Sequence, residues 1–303
     1  MVDILSKSTS LRRAIASARL SFSIPETAQA IQNRQVPKGD VKEFARAAGL
    51  LAIKNTSSVI PDCHPLPVEY AAIRFEMGEM YLDIEVEVAT IYKTGVEVEA
   101  MHGAAITALT AYDMLKPIDR GIQIEKIVLQ QKMGGKSDYS DSLSQSIRGA
   151  VLVCSDSVSS GKKEDKAGRE VVSILEKHSI ACEHYHVVPD EKDVIQQCIT
   201  EWVSNGIQLL IVCGGTGLSP RDQTPEAVQE LLDREIPGIM EAARAYGQQR
   251  TPYAMLSRGI AGMRKQCLIL TLPGSARGAS ESMQALFPYL KHVFKVAAGM
   301  RHD

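Results

Sequence analysis

The chain is predicted to fold as two domains: an N-terminal α+β sandwich on an antiparallel sheet, and a C-terminal three-layer α/β domain on a mostly parallel sheet. Three observations carry this. At 303 residues the chain is longer than a single core usually grows. Upstream, strand-like runs stand side by side with helices grouped apart, whereas downstream they alternate one for one with helical runs. Between them KSDYSDSLSQSIR, residues 136–148, is polar, serine-rich and without apolar period, and reads as a linker. The domains are therefore set at 1–140 and 147–303.

In the first domain a helix is expected near 8–20, and a second from an Asp40 N-cap through KEFARAAGLLAIK. The runs EYAAIRFEM and MYLDIEVEVATIY read as strands joined at Gly78-Glu79. A long helix over 99–116 is stopped by Pro117, and IQIEKIVLQ is a last strand. In the second domain the apolar runs 149–156, 182–190, 207–215 and 266–274 each end in a Gly, Asp or Pro cluster. Helices are expected at 168–178, 193–205, 225–234, 236–247 and 280–294. Such alternation implies βαβ units, whose ligands sit beyond the carboxyl ends of the strands.

Composition narrows the function. With 45% hydrophobic residues, 23% charged residues and a net charge of −2, the chain has no electrostatic claim on nucleic acid. No apolar run approaches about 18 residues, so no membrane span is expected. The six cysteines form no CxxC pair and several lie in strand-like runs. They read as reduced thiols of a cytoplasmic protein, without a disulfide framework or a zinc site.

The stretch GGTGLSPRDQTPEA, residues 214–227, follows the apolar run IQLLIVC directly. Its glycines allow backbone N–H groups to face an anion, and a helix start near Thr224-Pro225-Glu226 adds its positive dipole end. Alone, the stretch reads equally as a tight turn. Its company shifts the balance, because parallel topology brings Ser155 and Asp156, Pro189 and Asp190, Gly214 to Asp222, and Pro273, Gly274 and Ser275 to one sheet edge. Asp190 and Asp222 beside phosphate-binding amides would repel a polyanion unless a cation such as Mg²⁺ lay between them. Each is also readable as a helix N-cap. A P-loop is absent: the one Gly-Lys-Ser, at 135–137, has Gln130 where the earlier glycine belongs, and no GxGxxG follows a strand.

The motifs SDSVSSGKKEDKAG, VVPDE, GGTGLSPRDQTPEA, LSRGIAG and LPGSARGASE resemble, in order and over 147–303, the molybdopterin adenylyltransferase family. The resemblance implies the molybdopterin-binding fold and transfer of AMP from ATP, with Mg²⁺, to molybdopterin. It places the functional aspartates on Asp190 and Asp222, both also metal ligands. Binding loops fall on Gly214, Gly215, Thr216, Gly217, Ser219, Thr224, Glu226, Ser257, Pro273, Gly274 and Ser275. Adenylyl transfer suits such a set, since it needs phosphates aligned and their charge neutralised rather than covalent help.

In the first domain PDCHPLP holds His64 in a proline-stiffened loop, readable as an acid–base site or as a structural loop. Glu97 and Glu99 open the long helix; Asp113 and Lys116, three apart near its end, could equally be a surface ion pair. Fourteen helical steps of about 1.5 Å separate Glu99 from Asp113 by about 21 Å, so a site using both must be assembled from two subunits. Lys38, Lys54, Lys116, Lys132 and Lys136 default individually to solvated surface, and as a set would suit a phosphate-bearing ligand.

MVDILSK, PKGDVKEFARAAGLLAIK, IPDCHPLP, TGVEVEA, ALTAYDMLK and KMGGKS are similar to the cyclic pyranopterin monophosphate synthase family over nearly all of 1–140. This implies a ferredoxin-like sandwich that converts 3′,8-cyclo-7,8-dihydro-GTP to cyclic pyranopterin monophosphate and pyrophosphate. The implied catalytic set is Lys38, His64, Glu97, Glu99, Asp113 and Lys116, with Arg12, Lys54 and Lys132 on the triphosphate. The sequence departs from the family at Val98 and at Ala100-Met101-His102-Gly103. Gly103 costs about 1 kcal/mol of helix propensity, and altered packing around the glutamates is expected.

Together these readings describe a bifunctional enzyme of molybdenum cofactor biosynthesis, with small pterin and nucleotide substrates. The families' trimers and hexamers imply a homo-oligomer, reconcilable as D3. The alternative is that one domain is a non-catalytic pterin-binding scaffold or carrier.

Overall fold

The computed structural model describes residues 1–136, 138, 146–297 and 299. Of the linker expected over 136–148, residues 137 and 139–145 lie outside the described residues, as does Ser137 of the Gly-Lys-Ser triplet. The chain divides into two compact units, Met1–Tyr139 and Ser140–Asp303.

In the first unit the elements run β1 (Ser10–Ser21), α1 (Glu26–Gln32), α2 (Val41–Lys54), α3 (Thr56–Val59), β2 (Tyr70–Met77), β3 (Tyr81–Tyr92), α4 (Glu97–Leu115) and β4 (Gln123–Met133). Among the described residues the strands make one antiparallel sheet in the order β2-β3-β1-β4, the split βαβ arrangement of ferredoxin-like sandwiches. The Asp40 N-cap forms as expected: its carboxylate accepts the N–H groups of Lys42 and Glu43 at 3.1 and 3.3 Å.

One expectation is overturned. The helix expected near 8–20 is strand β1, at the centre of the sheet. Its alanine- and arginine-rich composition favours a helix, but the same residues alternate. Ala14, Ala16, Ala18 and Leu20 are buried, and pair with Val88, Val86, Ile84 and Leu82 of β3. Pairing on both edges, with β3 and β4, outweighs a propensity difference of tenths of a kcal/mol per residue.

Small side chains on this buried face suit α4 above it, whose own buried stripe is Ala100, Gly103, Ala104, Thr107, Ala108 and Ala111. Gly103 also has a packing reason. A Cβ there would stand 2.7 Å from Ile53 of α2, and one on Gly49 of α2 would stand 2.0 Å from Thr107. The departure at Gly103 therefore lets α2 and α4 approach closely, at a small cost in propensity.

The second unit runs β5 (Arg148–Cys154), α5 (Asp156–Ser159), α6 (Ala167–Lys177), β6 (Ala181–Val188), α7 (Lys192–Ser204), β7 (Leu209–Cys213), α8 (Thr224–Gln229), β8 (Arg234–Glu235), α9 (Pro237–Gln248), β9 (Ala261–Arg264), β10 (Cys267–Leu272), α10 (Ala276–Leu286) and α11 (His292–Ala297). Its sheet has the order β6-β5-β7-β10-β9-β8; the first four strands are parallel, and β9 runs antiparallel to both of its neighbours, β10 and β8. Alternate residues feed opposite faces. Val151, Val153 and Ile211 pack under α6, α9 and α10, while Ala150, Leu152 and Val212 pack under α7 and α8.

The parallel strands and their helices lie where the sequence places them. Three details differ: the helix expected over 225–234 stops at Gln229, with Arg234 already in β8; the helix expected over 280–294 stops at Leu286, before Phe287-Pro288; and the short strands β8 and β9 were not foreseen. Among the described residues no helix is long and apolar enough to cross a membrane.

Candidate functional sites

In the first unit the expected residues form two groups, one at each end of α4. At its carboxyl end Asp113 accepts from two lysines: Lys116 Nζ lies 2.7 Å from Oδ1 and Lys38 Nζ, from the loop before α2, 2.6 Å from Oδ2. Lys116 and then Lys38 hold the Asp113 carboxyl down to about 2, although all three side chains are half exposed. The ion pair read from the sequence is present, with Lys38 added to it.

At the amino end Glu97 pairs with Lys132 of β4, 2.7 Å from Nζ. Glu99, two residues on, is buried at 2% exposure. Its Oε1 accepts the Cys63 thiol at 3.1 Å, while Oε2 is buried without a hydrogen-bond partner. Burial pushes the Glu99 carboxyl up, with the Cys63 hydrogen bond opposing. The same burial, with Glu99, pushes the Cys63 thiol up to about 12. His64 follows in the loop, half-buried.

Arg12 is buried at 8% exposure and donates to the Tyr92 and Lys93 carbonyls at 3.2 and 3.4 Å. It lies against Gly135, where a Cβ would stand 2.3 Å from its guanidinium. Lys54 is exposed at the end of α2. The two groups do not meet in one chain, because α4 is continuous from 97 to 115 and holds them about 21 Å apart.

In the second unit the loops after β5, β6, β7 and β10 converge. Asp156 and Asp190 exchange hydrogen bonds, each backbone N–H donating to the other's carboxylate at 3.1 Å. Arg221, from the loop after β7, forks onto the Asp156 carboxylate at 2.8 and 2.9 Å and holds it below the usual carboxylate range. Asp190 is pushed the other way, first by burial and then by the charges of Asp156 and Asp222. Its Oδ1 is buried and accepts no hydrogen bond.

The glycines explain how these groups come so close. Gly214 and Gly215 have φ of +104° and +59°, a region that disfavours a side chain. A Cβ on Gly215 would stand 2.9 Å from Asp190 Oδ1, and one on Gly217 3.0 Å from Asp222 Oδ2. The loop thus lays two bare backbone positions against two carboxylates. Ser219 N–H donates to Asp222 at 2.8 Å, Ser155 caps α5, and Ser275 caps α10. Gly274 closes the floor, where a Cβ would stand 3.2 Å from the Gly214 Cα. A cavity of about 310 Å³ opens beside this cradle, lined among others by Thr216, Gly217, Ser257, Pro273 and Ser275. Ser257 Oγ and Thr224 Oγ1 are buried without an assigned partner.

Three residues escaped the sequence reading. Arg258 donates to the Gly217 carbonyl at 2.7 Å, to the Asp222 carbonyl at 2.6 Å and to the Glu226 carboxylate, so Glu226 is engaged inside the loop. Arg221 and Cys63 are the others. The arginines stand inside the motifs GGTGLSPRDQTPEA and LSRGIAG, and a charge within a glycine-rich turn was the available signal. Cys63 gave none, since its partner is 36 residues away.

Residues 1–135 match the MoaC family, and residues 150–292 match a family described as a probable molybdopterin binding domain. A molybdenum cofactor biosynthesis bifunctional protein of Chlorobaculum tepidum is 36% identical over 302 residues, covering 100% of this chain and 96% of that one. One of the same description from Synechococcus elongatus is 33% identical over 315 residues, covering 100% and 98%. A cyclic pyranopterin monophosphate synthase of Listeria monocytogenes is 49% identical over 138 residues, covering 45% of this chain and 86% of that one. Aligned over its whole length with two such proteins, the chain belongs to the bifunctional molybdenum cofactor biosynthesis proteins.

Proposed function

We propose that the second unit transfers AMP from MgATP to molybdopterin, and that the first converts 3′,8-cyclo-7,8-dihydro-GTP to cyclic pyranopterin monophosphate with release of pyrophosphate. The observation that supports the transferase most is the buried Asp190 Oδ1 facing Gly215 without a donor, with Asp222 beside Gly217. Burying a carboxylate oxygen unpaired is costly, and a cation relieves the cost. Mg²⁺ fits this donor set: Asp190 and Asp222 would hold it, and it would neutralise substrate phosphate charge. Amides of 214–217 bind the phosphates, and Arg258 keeps that loop shaped by its bonds to Gly217, Asp222 and Glu226.

For the first unit, Glu99 carries its reactive oxygen into a dry setting where its proton affinity is raised. Lys38, Lys116, Lys132 and Arg12 supply cations for phosphate oxygens, with Lys54 a further candidate. Because α4 holds the two groups apart, we place the working site between two copies of the chain in a homo-oligomer, a trimer or hexamer. Nucleotide substrates and six unpaired cysteines fit a cytoplasmic enzyme.

Incubating the full chain with molybdopterin, ATP and Mg²⁺ should yield adenylated pterin and pyrophosphate, and chelation should stop it. Molybdopterin bound without AMP transfer would instead mark a carrier.

A further inference from the structure

We propose that Cys63 is a positioning residue for Glu99: its thiol proton, donated to Oε1, fixes the carboxylate so that Oε2 faces the substrate. The inference rests on Glu99 being catalytic, as read above, and goes beyond it by assigning the cysteine.

The geometry is specific. Cys63 Sγ lies 3.1 Å from Glu99 Oε1, and Oε2 has no partner although the residue is 2% exposed. The loop that carries Cys63 is tied at both ends. Cys63 N–H donates to the Ile60 carbonyl at 3.1 Å, and the Thr90 hydroxyl donates to the Pro67 carbonyl at 2.5 Å. Pro61, Pro65 and Pro67 stiffen what lies between. A carboxylate on the first turn of a helix has rotamer freedom; one donor on a rigid loop removes it.

The charged groups facing Glu99 are few. Glu97, on the same turn of α4, pushes its carboxyl up, and Lys132 of β4 pairs with Glu97. His102, one turn on, favours the ionised form, its Nδ1 held 3.1 Å from the Thr56 hydroxyl. The thiol opposes burial in the same sense as His102. Cys63 itself is no nucleophile here: with its pKa pushed up to about 12 by burial and by Glu99, it stays a neutral S–H donor at neutral pH.

The test uses Cys63→Ser, Cys63→Ala and Glu99→Gln in the full chain, assayed for conversion of the cyclic GTP derivative across pH, with melting curves for each. Serine keeps a donor and should hold kcat within about twofold. Alanine should lose about tenfold in kcat with KM little changed, and the limb of the pH profile due to Glu99 should move to higher pH. An alanine variant with parental kcat and an unmoved limb, beside an inactive Glu99→Gln, overturns the proposal. A fully active Glu99→Gln overturns the reading of the site instead. Should alanine melt below the assay temperature, serine decides alone: a retained rate supports the proposal, and a tenfold loss overturns it.

Discussion

The two candidate sites are built from the same materials, acids beside cations or amides, yet in one the residues are gathered at a single edge and in the other they stand at two ends of a helix. In the second unit parallel strands end on one edge, so loops from four of them meet and Asp190, Asp222, Gly215 and Gly217 lie in contact range. In the first unit the chemistry is strung along a helix, with Asp113 and Glu99 at its two ends. Parallel topology gathers, whereas an antiparallel sandwich with one long helix disperses. On the proposed reading, the dispersed halves would become a site when a second copy supplies the missing end.

The largest expected effect falls where the residues are gathered. Asp222→Asn should lower AMP transfer by about a hundredfold or more, because the change removes a carboxylate charge proposed to hold Mg²⁺ while keeping the Ser219 hydrogen bond. Conversion of the cyclic GTP derivative by the same preparation should be unchanged. Parallel assays of both activities check this, and equal loss of both would show that the comparison between sites is wrong.

A smaller effect should appear where the site is divided. Lys116→Ala and Glu99→Gln lie at opposite ends of α4, and each alone should be nearly inactive in the first reaction. Co-expressed in equal amounts, they should regain about a quarter of parental activity, the fraction of sites that draw an intact Lys116 from one copy and an intact Glu99 from the other. A mixture as inactive as its components would mean that the site is completed within one chain.

This contrast also governs what could be read without coordinates. Strand ends rich in Gly, Asp and Pro announce themselves, because a βαβ chain must deliver them to one edge; the 214–227 stretch was legible for that reason. β1 was not. Leu11, Ala14, Ile15 and Ala18 satisfy helical spacing as well as Ala14, Ala16, Ala18 and Leu20 satisfy alternation, and only pairing with β3 and β4 decides between them. The Asp113 and Lys116 pair was visible from spacing, but Lys38 reaches it across 75 residues of chain. Cys63 against Glu99 was hidden similarly. Arg258 stood within a recognised motif, yet its three loop contacts depend on the path of a turn rather than on sequence period.

The smallest effects, of a few degrees in melting temperature, should differ in sign between the two sites. Asp113 is held from 3.8 down to about 2 by Lys116 and Lys38, so its ionised form favours the folded state. That contribution is fully present above about pH 4 and is lost as pH falls toward 2. Asp113→Asn should therefore melt slightly lower at pH 7 and like the parent near pH 2, and salt should shrink the gap because the pair is exposed. Asp190 is raised by burial and by Asp156 and Asp222, so its ionised form opposes folding, and its contribution falls away as pH rises through its folded value. Asp190→Asn should accordingly melt higher than the parent at pH 7 while losing AMP transfer, and the gain should vanish below about pH 4. Melting curves from pH 2 to 8 with both variants read the two signs together. Equal signs would mean that Asp190 is stabilised by its surroundings, and the carboxylate would then have no need of a cation.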